Sequence, residues 1–136
     1  MIKTKIFFPF LLIVFLALGA CEEDIIPDSE DPRDSFVGTW ICTDYPAKNN
    51  SSAYTVEITA DPYNSSRVLI YNYFQLGDKV APYAVVAGST ITVPEQLVEN
   101  GTWQVSGFGQ LKGDEIQWQE YNANQFTYKA VFRRSK

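Results

Sequence analysis

The chain has 136 residues with 11 basic and 16 acidic side chains, a net charge of −5 and no histidine. No basic stripe is present that could neutralise phosphates, which argues against nucleic-acid binding. The lack of histidine removes Ser-His-Asp catalysis, Cys-His pairs and the commonest metal ligand, so we expect a non-enzyme without cofactor or metal.

The first twenty residues have the pattern of a secretory signal peptide. Residues 1–5 contain two lysines and no acid, and residues 6–20 are apolar apart from Pro9. A helix of that apolar length spans about 22 Å at roughly 1.5 Å per residue, less than the roughly 30 Å hydrocarbon core of a bilayer. A basic start, a short apolar segment and a small-residue exit therefore predict an export signal over residues 1–20.

The end of this segment, Leu18-Gly19-Ala20-Cys21, resembles the lipobox of bacterial lipoproteins. The resemblance implies that the Cys21 thiol receives a diacylglyceryl group with palmitate-type chains, which makes membrane lipid a partner. Each buried methylene contributes about 0.8 kcal/mol, so two or more acyl chains give a stable anchor. We expect attachment to the outer membrane of the cell envelope, on its periplasmic or surface-exposed face. An ordinary signal peptide with an incidental cysteine is the alternative.

Residues 21–35 are predicted to form an acidic tether behind the lipidated Cys21. Seven acids stand against one base, Arg33, and two prolines interrupt the segment. Because such a stretch has little to bury and repels itself, we expect a disordered spacer. An acidic run just after the lipid cysteine also resembles the surface-export signal of some Gram-negative lipoproteins. Signal removal leaves nine basic and 16 acidic residues, a net charge of −7.

Residues 36–136 form the predicted domain, and their pattern is that of β-strands. Apolar and polar residues alternate between turn signals, and no window has a sustained 3.6-residue apolar period. The predicted strands cover residues 36–44, 54–60, 67–76, 83–86, 90–93, 102–111, 115–121 and 126–134.

About eight strands joined in order by short turns predict one all-β domain. We expect a single antiparallel up-and-down β-barrel, with a β-sandwich as the alternative. Gly107 and Gly109 share a strand face, which predicts a bend or a close backbone approach. Cys42 has no disulfide partner once Cys21 is lipidated, and we expect it to be a small buried hydrophobe.

Residues Gly38-Thr39-Trp40 resemble the Gly-x-Trp motif on the first strand of lipocalins and related calycin barrels. In that family the tryptophan closes one end of the barrel, and a basic residue of the last strand packs across it. The resemblance implies that Gly38 and Trp40 close this barrel and that Arg133 or Arg134 makes a cation–π contact with Trp40. The predicted domain is thus similar to small lipocalin-like domains of Gram-negative envelope lipoproteins.

Aromatic residues are the most informative side chains of the domain. They either fill a packed interior or line an open cup, since an eight-strand barrel holds side chains or one small ligand. On strand 115–121, simple alternation puts Trp118 with Ile116 and Glu120, and Tyr121 on the opposite face. The candidate ligand-binding residues are Tyr71, Tyr73, Trp103, Trp118 and Tyr128.

We therefore expect a non-catalytic binding module for a small apolar or glycan ligand. The first alternative is a protein-interaction or accessory subunit of a surface complex, using strand faces or loops such as residues 46–53. The second alternative is an enzyme with paired carboxylates. An aromatic-lined cavity would favour a small ligand, whereas a filled core with an exposed apolar patch would favour a protein partner.

Overall fold

The computed structural model describes residues 31–45 and 52–136. The signal peptide, Cys21, most of the tether and residues 46–51 lie outside the described residues. The strands are β1 Gly38–Tyr45, β2 Ser52–Ala60, β3 Arg67–Tyr71, β4 Tyr83–Ala87, β5 Thr90–Val98, β6 Trp103–Lys112, β7 Glu115–Ala123 and β8 Phe126–Arg134, with one 3₁₀ turn, Tyr73–Gln75, after β3. In the described ranges, no helix has the length and hydrophobicity needed to cross a bilayer.

The strands form a closed antiparallel barrel in chain order. Each strand pairs with its sequence neighbours, and β1 also pairs with β8, from Trp40 opposite Arg134 to Tyr45 opposite Lys129. Closure pairs the backbones of the first and last strands, so neither is left as an open edge. The predicted up-and-down barrel is confirmed, and the β-sandwich is not formed.

Alternation along the strands decides which side chains fill the interior. In β2, Tyr54, Val56 and Ile58 are buried, and in β1 Trp40 and Cys42 occupy the same inner face. Successive side chains of a strand point to opposite faces, so each strand contributes every second residue to one core.

Strand β7 departs from simple alternation because it contains a bulge. Its register with β8 shifts between Trp118 and Tyr121, so Gln119 and Glu120 oppose Lys129 alone. The extra residue turns both Trp118 and Tyr121 into the core. The prediction that these two rings lie on opposite faces is wrong for this reason.

Strand β5 continues past residue 93, where the predicted strand ends, and through Pro94. Pro94 lies within Thr90–Val98, at a register shift between Val93 and Gln96. The Gln96 side chain accepts from the Tyr83 amide at 3.1 Å and donates to the Tyr83 carbonyl at 2.9 Å. Proline is tolerated at this irregularity because the Gln96 side chain makes hydrogen bonds to the Tyr83 backbone that the β4–β5 strand pairing does not provide there.

Strand β3 ends at Tyr71, and residues 72–76 leave the sheet as a segment that we call the inner turn. Asn72, Phe74 and Gln75 have φ of 64°, 56° and 61°. These are left-handed values, which cost roughly 1–3 kcal/mol for each non-glycine residue. This backbone carries Tyr73, which is fully buried in the barrel.

The described chain enters the barrel at the end where β1 starts and β8 finishes, which we call the Trp40 end. Residues 32–36 form turns, and Phe36 is fully buried. Arg33 Nη1 donates to the carbonyls of Asp61 and Asn64, both at 3.0 Å, in the β2–β3 connection. Part of the segment assigned to the tether, residues 31–35, is therefore packed against the barrel.

Candidate functional site

The Trp40 end is closed by a cation–π contact. The guanidinium carbon of Arg134 lies 4.3 Å from the Trp40 ring centroid, and Trp40 Nε1 donates to the Phe36 carbonyl at 2.8 Å. Gly38 has φ of 139°, and a Cβ there would lie 3.0 Å from Arg134 Nη1. Arg133 instead points outward and bonds Glu115 at 3.0 Å. The contact predicted for one of the two arginines is made by Arg134.

The barrel interior is packed with aromatic rings. Tyr73 and Tyr121 have ring centroids 4.5 Å apart, and those of Trp118 and Phe132 are 5.2 Å apart. All four side chains are 2% exposed or less. Tyr73 and Trp118, both predicted to bind a ligand, are thus parts of the core.

The structure does not gather the five predicted ligand-binding residues into one pocket. Tyr71 lies on the outer face of β3, whereas Trp103 and Tyr128 are half-buried and pack against the core from the end opposite Trp40, which we call the far end. Tyr128 stacks on Phe74 of the inner turn, with ring centroids 4.9 Å apart. Only Trp103 and Tyr128 are available to a ligand at the mouth of the barrel.

A buried hydrogen-bond chain lies beneath the inner turn. The Phe74 amide donates to Tyr121 Oη at 2.6 Å, the hydroxyls of Tyr121 and Tyr54 are 2.9 Å apart, and Tyr54 donates to Asp44 Oδ2 at 3.3 Å. Because a carboxylate only accepts, the direction runs from Phe74 to Asp44. Sequence analysis missed this chain, although Asp44 shares the inward alternation of Trp40 and Cys42.

Burial keeps these groups protonated. It raises the pKa of the Tyr54 and Tyr121 hydroxyls above their ordinary values, and it raises the pKa of the Cys42 thiol to about 12. A thiol that stays protonated near neutral pH is a poor nucleophile. Cys42 is therefore a packing residue beside the tyrosines, as its strand position predicted.

The bulge also opens a depression on the outside of the barrel, which we call the Tyr45 groove. It has a volume of about 300 Å³ and crosses β1, β8 and β7; its lining residues are Tyr45, Gln117, Trp118, Gln119, Lys129, Ala130 and Val131. Tyr45 is 47% exposed. No sequence pattern marked this groove, because Tyr45 and Lys129 become neighbours only through β1–β8 closure.

The acidic side chains of β7 do not converge. The bulge places Glu115 and Glu120 on the outer face, although simple alternation assigned them to opposite faces. They are five positions apart along the strand, and Glu115 is paired with Arg133. Within the described part of the chain, no group of three or more Cys, Asp or Glu side chains could hold a metal ion.

Comparison with solved structures supports the barrel fold. A redesigned β-barrel superposes with a TM-score of 0.57 at 12% identity, covering 78% of this chain and 96% of that chain. The fold is a closed eight-stranded β-barrel. No protein-family profile and no curated protein sequence matches the chain. At this level of identity the likeness concerns the fold alone.

Proposed function

We propose that this chain is a lipid-anchored, non-catalytic glycan-binding module of the bacterial envelope that recognises its ligand with the outside of the barrel. The observation that carries the proposal is the combination of a filled interior with a groove on the outer wall that presents one half-exposed tyrosine beside polar side chains. A packed core has no room for an enclosed ligand, whereas a concave surface with a few polar groups suits a small one.

The position of the groove, away from the end at which the chain joins the barrel, supports recognition on the outside of the barrel. The chain joins the barrel at the Trp40 end, where Arg33 bonds the β2–β3 connection. Tyr45 and Lys129 lie at the end of β1 and near the start of β8, which is the half of the barrel away from that attachment. The groove therefore lies away from the end of the barrel at which the chain that leads to Cys21 arrives.

A protein partner is the second candidate function. Leu97 is 66% exposed and Phe126 is 42% exposed, and both lie toward the far end of the barrel. Exposed apolar side chains around a filled core are features of protein-interaction surfaces. The groove favours the glycan reading because it combines a concave shape with amide and ammonium groups.

Anchoring is tested with Cys21→Ala. The wild-type protein should incorporate a labelled fatty acid and fractionate with the outer membrane, whereas the variant should do neither. Labelling that persists in Cys21→Ala would refute attachment at this residue.

Binding is tested with the mature lipidated protein in detergent on an array of acidic and neutral bacterial and host glycans. We expect retention of at least one glycan class, reduced by Tyr45→Ala and unchanged by Tyr63→Ala. Tyr63 is the matched control because it is 96% exposed and lies outside the groove. An array without any retained glycan would refute the proposed function.

A further inference from the structure

We propose that the Tyr45 groove binds an acidic sugar residue, with Lys129 pairing its anionic group. The inference rests on the proposed glycan-binding function and specifies its ligand class and site. Four side chains carry it: Tyr45, Gln117, Gln119 and Lys129.

The groove follows from two features of the backbone. Gln119 and Glu120 of β7 face the single residue Lys129 of β8, so the outer surface is displaced at this point. Barrel closure then sets Tyr45 of β1 opposite Lys129. The result is a floor of Ala130 and Val131 between a tyrosine on one side and two glutamines on the other.

The lining matches the chemistry of a sugar ring. A half-exposed tyrosine offers an apolar face for the C–H face of a pyranose and a hydroxyl for polar contacts. Gln117 and Gln119 each provide one acceptor and two donors, which suits neighbouring ring hydroxyls. A purely apolar ligand would leave these amides without partners, which disfavours it.

The charge of the groove selects an acidic sugar over a neutral one. Lys129 is exposed and has no ion-pair partner among residues 31–45 and 52–136, whereas Arg133 on the same strand is paired with Glu115. None of the described lining residues carries a carboxylate. Glu120, which follows Gln119 in the bulge, is exposed on the same outer face but is not part of the lining. Lys129 is therefore the one charged residue of the described lining, and its ammonium favours an anionic group on the ligand.

Barrel closure also argues against an extended peptide in the groove. A peptide that adds to a sheet needs an open strand edge, but β7, β8 and β1 each have strand neighbours on both sides. A ligand here must be recognised by side chains, as a sugar is.

The experiment is calorimetric titration of the mature lipidated protein in detergent with three acidic probes: trigalacturonate, a hyaluronan tetrasaccharide and sialyllactose. Galactotriose, cellotetraose and lactose are the neutral counterparts. We expect at least one acidic probe to bind at least about tenfold more tightly than its counterpart, because hydrogen bonds to charged groups are the stronger ones. Lys129→Gln should remove that preference, and added salt should weaken it.

Lys112→Gln is the matched control, since it removes the same charge outside the groove, in the described β6. Circular dichroism and thermal melting should be unchanged in both lysine variants because both side chains are exposed. Equal affinity for acidic and neutral probes, a Lys129→Gln variant that keeps the preference, or no binding of any acidic probe would overturn the inference. If the array still retains a glycan that is insensitive to Lys129→Gln, the proposed function survives and only the site and ligand class fail.

Discussion

Gly107→Ala tests how the inner turn is held in the barrel. A Cβ at position 107 would overlap the Tyr73 hydroxyl and would also lie 3.0 Å from the Glu120 carbonyl and 3.1 Å from Trp118 Cζ3. The Tyr73 hydroxyl cannot move freely, because it donates to the Ser106 carbonyl at 2.7 Å. The methyl group should therefore push Tyr73 away from Ser106 and loosen the inner turn.

The magnitude follows from two contributions. Overpacking by one methyl group in a packed core costs about 1–3 kcal/mol. Loss of the hydrogen bond from the Tyr73 hydroxyl to the Ser106 carbonyl adds about 1 kcal/mol. We expect Gly107→Ala to lower the free energy of unfolding by about 2–4 kcal/mol, and Tyr73→Phe by about 1–1.5 kcal/mol.

The two substitutions should not be additive. Tyr73→Phe removes the oxygen that the new methyl group would strike, so the double variant should be at least about 1 kcal/mol more stable than the sum of the single effects. The assay is urea unfolding followed by tryptophan fluorescence, in an unlipidated mature Cys21→Ala background. Combining Gly107→Ala with Tyr63→Phe is the matched control, because Tyr63 is 96% exposed in the β2–β3 connection and lies outside the inner turn; that pair should be additive. Additivity of the Gly107 and Tyr73 substitutions would refute the packing argument.

The remaining predictions concern the Trp40 end and the buried thiol. Trp40→Ala should cost about 3–5 kcal/mol in urea unfolding, as for a core aromatic, and an unchanged midpoint would contradict this role. Arg134→Ala should cost about 1 kcal/mol through its cation–π contact, whereas Arg133→Ala should stay within about 0.5 kcal/mol, and equal losses would contradict the assignment. Because the Cys42 thiol ionises at a higher pH in the folded chain, its contribution to stability is complete below about pH 9 and is lost as the pH rises toward 12. Wild type should therefore lose about 1.4 kcal/mol per pH unit more than Cys42→Ala between about pH 10 and 11, and parallel curves over that interval would argue against this.

The sequence by itself determined the features that depend on local pattern. Alternation in β2 was enough to identify its inner face, because a pleated strand sends every second side chain to the same side. Short turns between strands were enough to predict an antiparallel meander. The resemblance around Trp40 indicated the partner strand for its ring, and Arg134 occupies that position. Lipidation at Cys21 stays a prediction.

Only the tertiary structure decided features that join distant residues or break local rules. The β7 bulge places Trp118 and Tyr121 in one core, and a packing requirement of that kind leaves no mark in the alternation of a single strand. The inner turn keeps non-glycine residues at positive φ because Tyr121 and Ser106, far along the chain, bond it in place. The Tyr45 groove needs residues 84 positions apart, Tyr45 and Lys129, to meet across the closing pair of strands. Local pattern specifies which face of a strand is buried, whereas closure of the barrel decides which faces meet.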